Sequence, residues 1–409
     1  MEKRKGIILT ETQRLHWLQL IRSENVGAVT FINLIEHFGS AAQALSQITE
    51  LSKRGGKGKP IRLASKDDAE RELEIATNLG ARFIGIGEPD YPPYLRAIET
   101  PPPLICVKGN CDIFFSPSVG IVGSRNASAQ GKKLTTLFSK QLGEMGFTIV
   151  SGLARGIDTS AHYASLETGT VAVMAGGIDH IYPPENQLLY QKILDQGGAI
   201  VSEMPIGWQP RAQDFPRRNR VIAGISLGVL VCEAAIRSGS LITARLAAEM
   251  GRLVFAIPGS PLDPRAQGTN NLIKDGALLA TRPEDIAETL APLLPLSKGN
   301  QMSLFENNED TSLLWSSTYS QEQNSDMLTD TYIEPTNVGP TNDEPTNDED
   351  RNKVISALST TPIDVETLSL YSGVSLDKIY LILVELDLAG KLIRHSGGTI
   401  SFNVNDFPS

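Results

Sequence analysis

The pattern of hydrophobic and polar positions changes texture three times along the chain. The first 80 residues carry apolar side chains at helical spacing, as in "LHWLQLIRSENVGAVTFINLIEHFGSAAQAL", with a break at Gly27. That spacing predicts a small helical domain over residues 1–80. From Arg82 to about Pro283, short apolar runs alternate with segments of helix length. The runs "RFIGIG", "PLICVKG", "SVGIVG", "FTIVSG", "VAVMAG", "AIVSE", "GVLVCE" and "LVFAIPG" read as strands. Helices are expected between several of them, near 130–145, 158–168, 185–196, 216–224 and 240–251. Strands this evenly apolar are covered on both faces, so residues 81–296 read as an α/β domain with an extended, Rossmann-like parallel sheet. The pattern then disappears. Residues 297–350 are rich in Asn, Ser, Thr, Asp and Glu and repeat "EPTN", "GPTN", "EPTN", the composition of a disordered acidic linker. It returns over 351–409 as three helical segments, "RNKVISALS", "DVETLSLYSG" and "SLDKIYLILVELDLAG", followed by "KLIRHSGGTISF", which reads as a two-stranded wing. That order resembles a winged helix.

Composition modifies this picture in two places. A net charge of −10 looks hostile to nucleic acid, but residues 301–350 hold twelve acidic side chains and no Lys or Arg. The remainder has 37 basic against 35 acidic residues, so local basic patches are possible. The three cysteines, Cys106, Cys111 and Cys232, lack C-x-x-C spacing, which argues against a disulfide framework or a zinc ribbon. No apolar run reaches the roughly 20 residues of a membrane span, and the basic start is too short in its apolar part for a signal peptide. A cytoplasmic protein without membrane contact is expected. No metal or cofactor is expected either.

Candidate chemistry sits at the ends of the strands, where open α/β sheets bind ligands. In "SVGIVGSRNAS", Gly123 permits close backbone approach, Ser124 adds a hydroxyl and Arg125 a fork that can grip phosphate. Free amides at the start of the following helix suit an anion. The next strand end, "SGLARGIDTSAH", adds Gly152 and Arg155, with Asp158 placed to cap a helix. "DFPRRNRVIAGIS" puts Arg217, Arg218 and Arg220 beside Phe215 and Asn219. If Pro216 opens a helix, the three arginines cannot all share one face, so some pair with core carboxylates. Cations on phosphate with rings under bases is the combination that single strands need. Ser238 and Ser240 precede another helix in "SGSLITA", and "GTNNLIKDGA" reads as a donor-rich turn ending near Lys274. One dinucleotide does not need so many donor-rich turns, whereas a run of phosphates does.

These motifs, in this order and together with "YPPYLRAIETPPPLICVKGN", "GGIDHIYPPEN" and "FAIPGS", resemble the DNA-processing protein A family (DprA, also called Smf). The resemblance is dense over residues 85–285. The N-terminal "NVGAVTFINLIEHFGS", which looks like a helix-hairpin-helix or SAM-like unit, and the winged helix fit the same family. The resemblance implies a protein that binds and protects single-stranded DNA, forms homodimers and loads RecA in natural transformation and homologous recombination. It implies that Gly123, Ser124, Arg125 and the segment around Arg217 and Arg218 contact the strand, with a less defined role for Lys274. The acidic linker lies outside the family pattern.

Catalysis finds little support. No H-E-x-x-H or G-x-S-x-G occurs. Asp158 and His162 stand four apart, but a cap and a packed imidazole account for them more simply than a metal, and Cys232 reads as a core thiol. The rival reading is a Rossmann-like phosphoribohydrolase acting on nucleoside monophosphates. Its P-G-G-x-G-T-x-x-E signature is replaced here by "SGSLITARLAAE", which lacks the first-turn glutamate. A transcription factor reading DNA through the winged helix is a third class, and the acidic residues Asp377, Glu385 and Asp387 in its third helix oppose it.

Overall fold

The computed structural model describes residues 6–56, 61–294 and 348–403. Most of the segment read as an acidic linker lies outside these residues. Four helices open the chain: α1 (Glu11–Ile21), α2 (Ala28–Phe38), α3 (Ala41–Arg54) and α4 (Lys66–Asn78). Their starts are set by local chemistry. Thr10 and Gln13 form a capping box on α1, while Ser40 and Ser65 accept from the backbone amides of Gln43 and Asp68.

The α/β region holds nine strands: β1 (Ala81–Gly85), β2 (Leu104–Gly109), β3 (Ser118–Val122), β4 (Thr148–Ser151), β5 (Thr170–Met174), β6 (Ala199–Ser202), β7 (Gly228–Val231), β8 (Leu253–Ala256) and β9 (Leu278–Leu279). The helices among them are α5 (Pro93–Arg96), α6 (Ala129–Glu144), α7 (Ile157–Ala164), α8 (Gln187–Asp195), α9 (Asp214–Ile225), α10 (Gly239–Glu249), α11 (Gln267–Lys274) and α12 (Pro283–Leu290). All strands join one sheet in the order β1-β2-β6-β5-β4-β3-β7-β8-β9. From β6 to β9 the pairs are parallel, as the apolar runs predict; β1 and β2 pair antiparallel and extend the sheet past β6. The turn expected at "GTNNLIKDGA" is instead the helix α11 followed by β9, the two-residue strand that sequence reading missed.

Alternation along each strand divides the core into two faces. Val150, Val171, Val173, Val201, Val229 and Val231 point to the side covered by α9 and α10. Ile121, Ile149 and Leu230 point to the side covered by α6 and α7, and Ala172, Met174 and Ile200 to that of α8. Each fully buried aliphatic side chain contributes about 1.5–3 kcal/mol.

The last unit has helices α13 (Asp348–Ala357), α14 (Val365–Ser372) and α15 (Leu376–Leu388) and a hairpin of β10 (Leu392–Arg394) and β11 (Ile400–Phe402). This is the winged helix, with α13 beginning inside the stretch read as linker. Among the described residues no single helix is long and apolar enough to cross a membrane.

One buried polar group joins the first unit to the sheet, and another ties α7 to β4 and β5. Glu88 accepts from both terminal nitrogens of Arg14, at 2.6 and 2.7 Å, and from the amides of Gly85 and Leu9. His162 is fully buried between α7 and β5. Its Nδ1 meets the Thr170 hydroxyl at 2.7 Å, and its Nε2 accepts from the Leu153 amide at 3.3 Å. Both ring nitrogens are therefore used in packing.

Replacing Glu88 with Ala strands Arg14 and two amides, and about 3 kcal/mol of stability should be lost in urea denaturation. Burial pushes the His162 imidazole down from 6.5 to about 3, with Arg218 adding to the effect. The unfolded chain then takes up a proton that the folded chain refuses, so stability falls as pH drops below 6.5. Between pH 7 and pH 5 the loss should be about 2 kcal/mol. The same pair of urea titrations on His162→Gln should show that increment removed.

Candidate nucleic-acid interface

The carboxyl ends of β3, β4 and β5, together with the start of α9, surround a cleft of about 220 Å³. That is below the roughly 300–1,000 Å³ of pockets for drug-sized ligands and suits one flat group. Of the residues singled out from sequence, Arg125, Gly152, Arg155, Phe215 and Arg218 line it. His180, Tyr182 and Asn126 also line it and were not singled out. The signal for His180 and Tyr182 was present in "GGIDHIYPPEN", but only the fold brings that loop opposite α9, while Asn126 follows Arg125 directly in "SVGIVGSRNAS".

Arg218 forms the floor. Its side chain is buried and donates to the carbonyl oxygens of Gly152 and Val173, at the ends of β4 and β5, the latter at 3.0 Å. Its Nε is buried without a partner. Gly152 is required here by space, because a Cβ at that position would overlap the guanidinium. Asp158 is the countercharge. Burial raises its carboxyl, opposed by Arg218 and by amide hydrogen bonds from Ala154 and Gly152. Burial pulls Arg218 down to about 10; Asp158 opposes that and Arg125 adds to it. Two guanidinium groups thus face one buried carboxylate, an imbalance that favours an anion in the cleft.

The wall is aromatic. Arg125 lies over the Phe215 ring at 4.6 Å from its centroid, and Tyr182 meets the same ring edge-on at 5.9 Å. Both the cation–π contact and the edge contact are of favourable geometry. Tyr182 is 46% exposed and presents its ring to the opening.

The expected amide cradles differ from the sequence reading. The helix after "GSR" starts only at Ala129, and its first turn is occupied by the protein's own groups. Ser128 accepts from the Gly131 amide, and the Glu233 carboxylate accepts from the Ser128 amide and hydroxyl. Asp158 does not cap α7. Its carboxylate accepts from the amides of Gly152 and Ala154 in the preceding turn. Ser238 caps α10 and bonds Ser240. Internal carboxylates and hydroxyls thus fill these anion positions.

The other residues singled out spread around the cleft. Gly123 packs against Ile157, and the Ser124 amide donates to the Glu233 carbonyl while its hydroxyl accepts from Asn126. Pro216 lies inside α9, which begins at Asp214, and the three arginines diverge as the helix turns. Arg217 and Arg220 share the Glu203 carboxylate, at 3.0 and 3.2 Å, and Arg220 also holds the Thr100 carbonyl. Burial works against the Glu203 charge, but the two arginines outweigh it and hold the carboxyl below its usual range. Arg155 pairs with Glu185 at the rim. The Asn219 amide reaches the Gly239 carbonyl, and Lys274 is exposed at the end of α11.

Comparison with known proteins agrees with this architecture unit by unit. Residues 82–291 match the family described as DNA recombination-mediator protein A, residues 11–75 a DprA-like N-terminal HHH domain, and residues 338–398 a DprA winged helix domain. Protein Smf of Escherichia coli is 48% identical over 202 residues, which is 49% of this chain and about half, 54%, of that protein. Protein Smf of Synechocystis sp. is 35% identical over 319 residues, 72% of this chain and 77% of that one. The X-ray structure of DNA processing protein A from Streptococcus pneumoniae superposes with a TM-score of 0.57 at 35% identity, covering 69% of this chain and 98% of that structure. From its α/β core to both flanking units, the chain belongs to the DprA/Smf family of DNA recombination-mediator proteins.

Proposed function

We propose that this protein binds single-stranded DNA through the cleft between β3, β4, β5 and α9. The observation that carries the reading is the buried Arg218 guanidinium beneath an opening lined by Arg125, Phe215 and Tyr182. A phosphate is attracted by Arg218 and gripped by Arg125, which swings off the Phe215 ring to meet it. That movement frees a ring face, and a base stacks on Phe215 or Tyr182. Such contacts are indifferent to sequence, because every strand has phosphates and every base a π-face. Paired bases are not free to stack, so duplex DNA binds this cleft worse. Arg217 and Arg155, exposed and already paired with carboxylates, extend the basic rim. Gly123, Ser124 and Ser238 shape the turns around it, Asn219, Arg220 and Ser240 brace α9 and α10 beside it, and Lys274 meets the strand only beyond the cleft.

Among the described residues lining the cleft there is no carboxylate, serine or cysteine. This supports a binder over a phosphoribohydrolase, which needs an acid beside the glycosidic bond. The family description supports the wider reading that the chain protects incoming single strands and loads RecA on them in transformation and recombination, in the cytoplasm. A homodimer lengthens the bound strand and adds avidity. Leu278 and Leu279, exposed on the edge strand β9, support a second copy as the partner there.

Fluorescence anisotropy with single-stranded and duplex oligonucleotides tests this. Arg125→Ala should weaken single-strand binding by about 1–3 kcal/mol and flatten its salt dependence. Equal affinity for both DNA forms, or no effect of the substitution, contradicts the reading. Tyr182→Ala should cost about 1–3 kcal/mol if a base stacks there. Free base released from nucleoside monophosphates would restore the hydrolase.

A further inference from the structure

The third helix of the winged-helix unit, α15, has two apolar faces. Ile379, Ile382, Leu383 and Leu386 build the core of its own unit. Val384 and Leu388 belong to a different core, that of the N-terminal helices, where they pack with Leu20, Val26, Phe31 and Leu34. A helix that is apolar on both sides is made to be covered on both. On the second face, where a duplex-reading helix carries cations, α15 instead offers apolar and acidic side chains to α2, α3 and the turn between α1 and α2.

The polar contacts there are specific. The Asn25 side chain donates to the Leu388 carbonyl at 3.0 Å, and the Thr30 hydroxyl to Asp387 at 3.3 Å. Asp387 also holds Arg394 at 2.6 Å. Thr30 lies in the first turn of α2, which has no acidic residue of its own and no side-chain cap. Asp387 therefore places a carboxylate where a helix start attracts an anion. Beside it, both carboxylate oxygens of Glu385 are buried without hydrogen bonds. Glu385 has Arg351 at 3.8 Å and feels Arg54, in the basic last turn of α3 formed by Lys53 and Arg54. Burying a carboxylate without hydrogen bonds is costly, and burial accordingly raises its carboxyl. An interface carrying that penalty is poised to open.

We propose that the winged-helix unit is a reversible acidic cover on a second nucleic-acid surface, the hairpin end of the N-terminal helices, with Glu385 and Asp387 in the place of backbone phosphates. Thr30 lies under the cover, and Lys53 and Arg54, exposed at the edge of the contact, join it in taking phosphates once the acidic cover lifts. This end has cations and helix-start donors but lacks the aromatic cleft of the strand site, so its ligand is a phosphate backbone irrespective of base pairing.

Gly55 provides the test. Its φ of −59° is ordinary, so a larger residue is not strained there, but a Cβ would overlap the Glu385 carbonyl. Gly55→Leu, and separately Val384→Glu, should push the units apart without entering the core of the winged helix. Both are made in the full chain carrying Arg125→Ala, which weakens the strand cleft, with fluorophores on cysteines placed at Gln47 and Tyr371. The expected result is a longer inter-dye distance and a rise in affinity for a duplex oligonucleotide of about fivefold or more, abolished by Lys53→Ala with Arg54→Ala. Separation without a gain in duplex affinity overturns the proposal. So does a gain that survives loss of Lys53 and Arg54, or failure of both substitutions to separate the units.

Discussion

A single buried cation organises the centre of this protein. The Arg218 guanidinium sits under the ends of β4 and β5, tied to the carbonyl oxygens of Gly152 and Val173. Placing a charge there costs desolvation energy that only hydrogen bonds and a counterion can offset. Gly152 must lack a side chain, Asp158 must be buried nearby, and His162 must stay neutral beside that charge. Each of these positions is unremarkable by itself and becomes constrained once Arg218 is in place. The positive cleft is the surface expression of that buried charge.

The same logic acts on the backbone at the strand ends. In many Rossmann-like sheets the amides at helix starts hold phosphate. Here Glu233 and Asp158 take up such amides internally, which stiffens the turns after β3 and β4 but uses their donors. The cleft itself is lined by side chains: Arg125 resting on Phe215, Tyr182 at the opening, Arg218 below.

The flanking units follow a related principle of partnered charge. Arg14 and Glu88 join the first helix to the sheet through a fully used carboxylate. The contact between α15 and the N-terminal helices is of the opposite kind, since Glu385 is buried there with no hydrogen bond to either carboxylate oxygen. One interface is satisfied and the other carries an internal penalty, so the two ends of the chain differ in how firmly they are held.

Much of this was legible in the residues alone. Eight of the nine strands, the parallel core, the small helical unit and the winged helix all follow from periodicity, because burial on one or two faces imposes a period that any reader can see. The order of the motifs was enough to place the chain in its family. The partners of individual side chains were not legible. Arg217, Arg218 and Arg220 are neighbours in sequence, yet one is the floor of the cleft and two share Glu203, since a helix turns 100° per residue and only packing decides which direction is buried. Antiparallel β1 and β2, the short β9, the role of Tyr182 and the capture of α15 by the first unit depend on contacts between residues far apart in the chain. Local pattern determined which elements form and which chemistry they carry; the tertiary structure decided which charges meet, because pairing in a low-dielectric interior depends on a few ångströms that no spacing along the chain encodes.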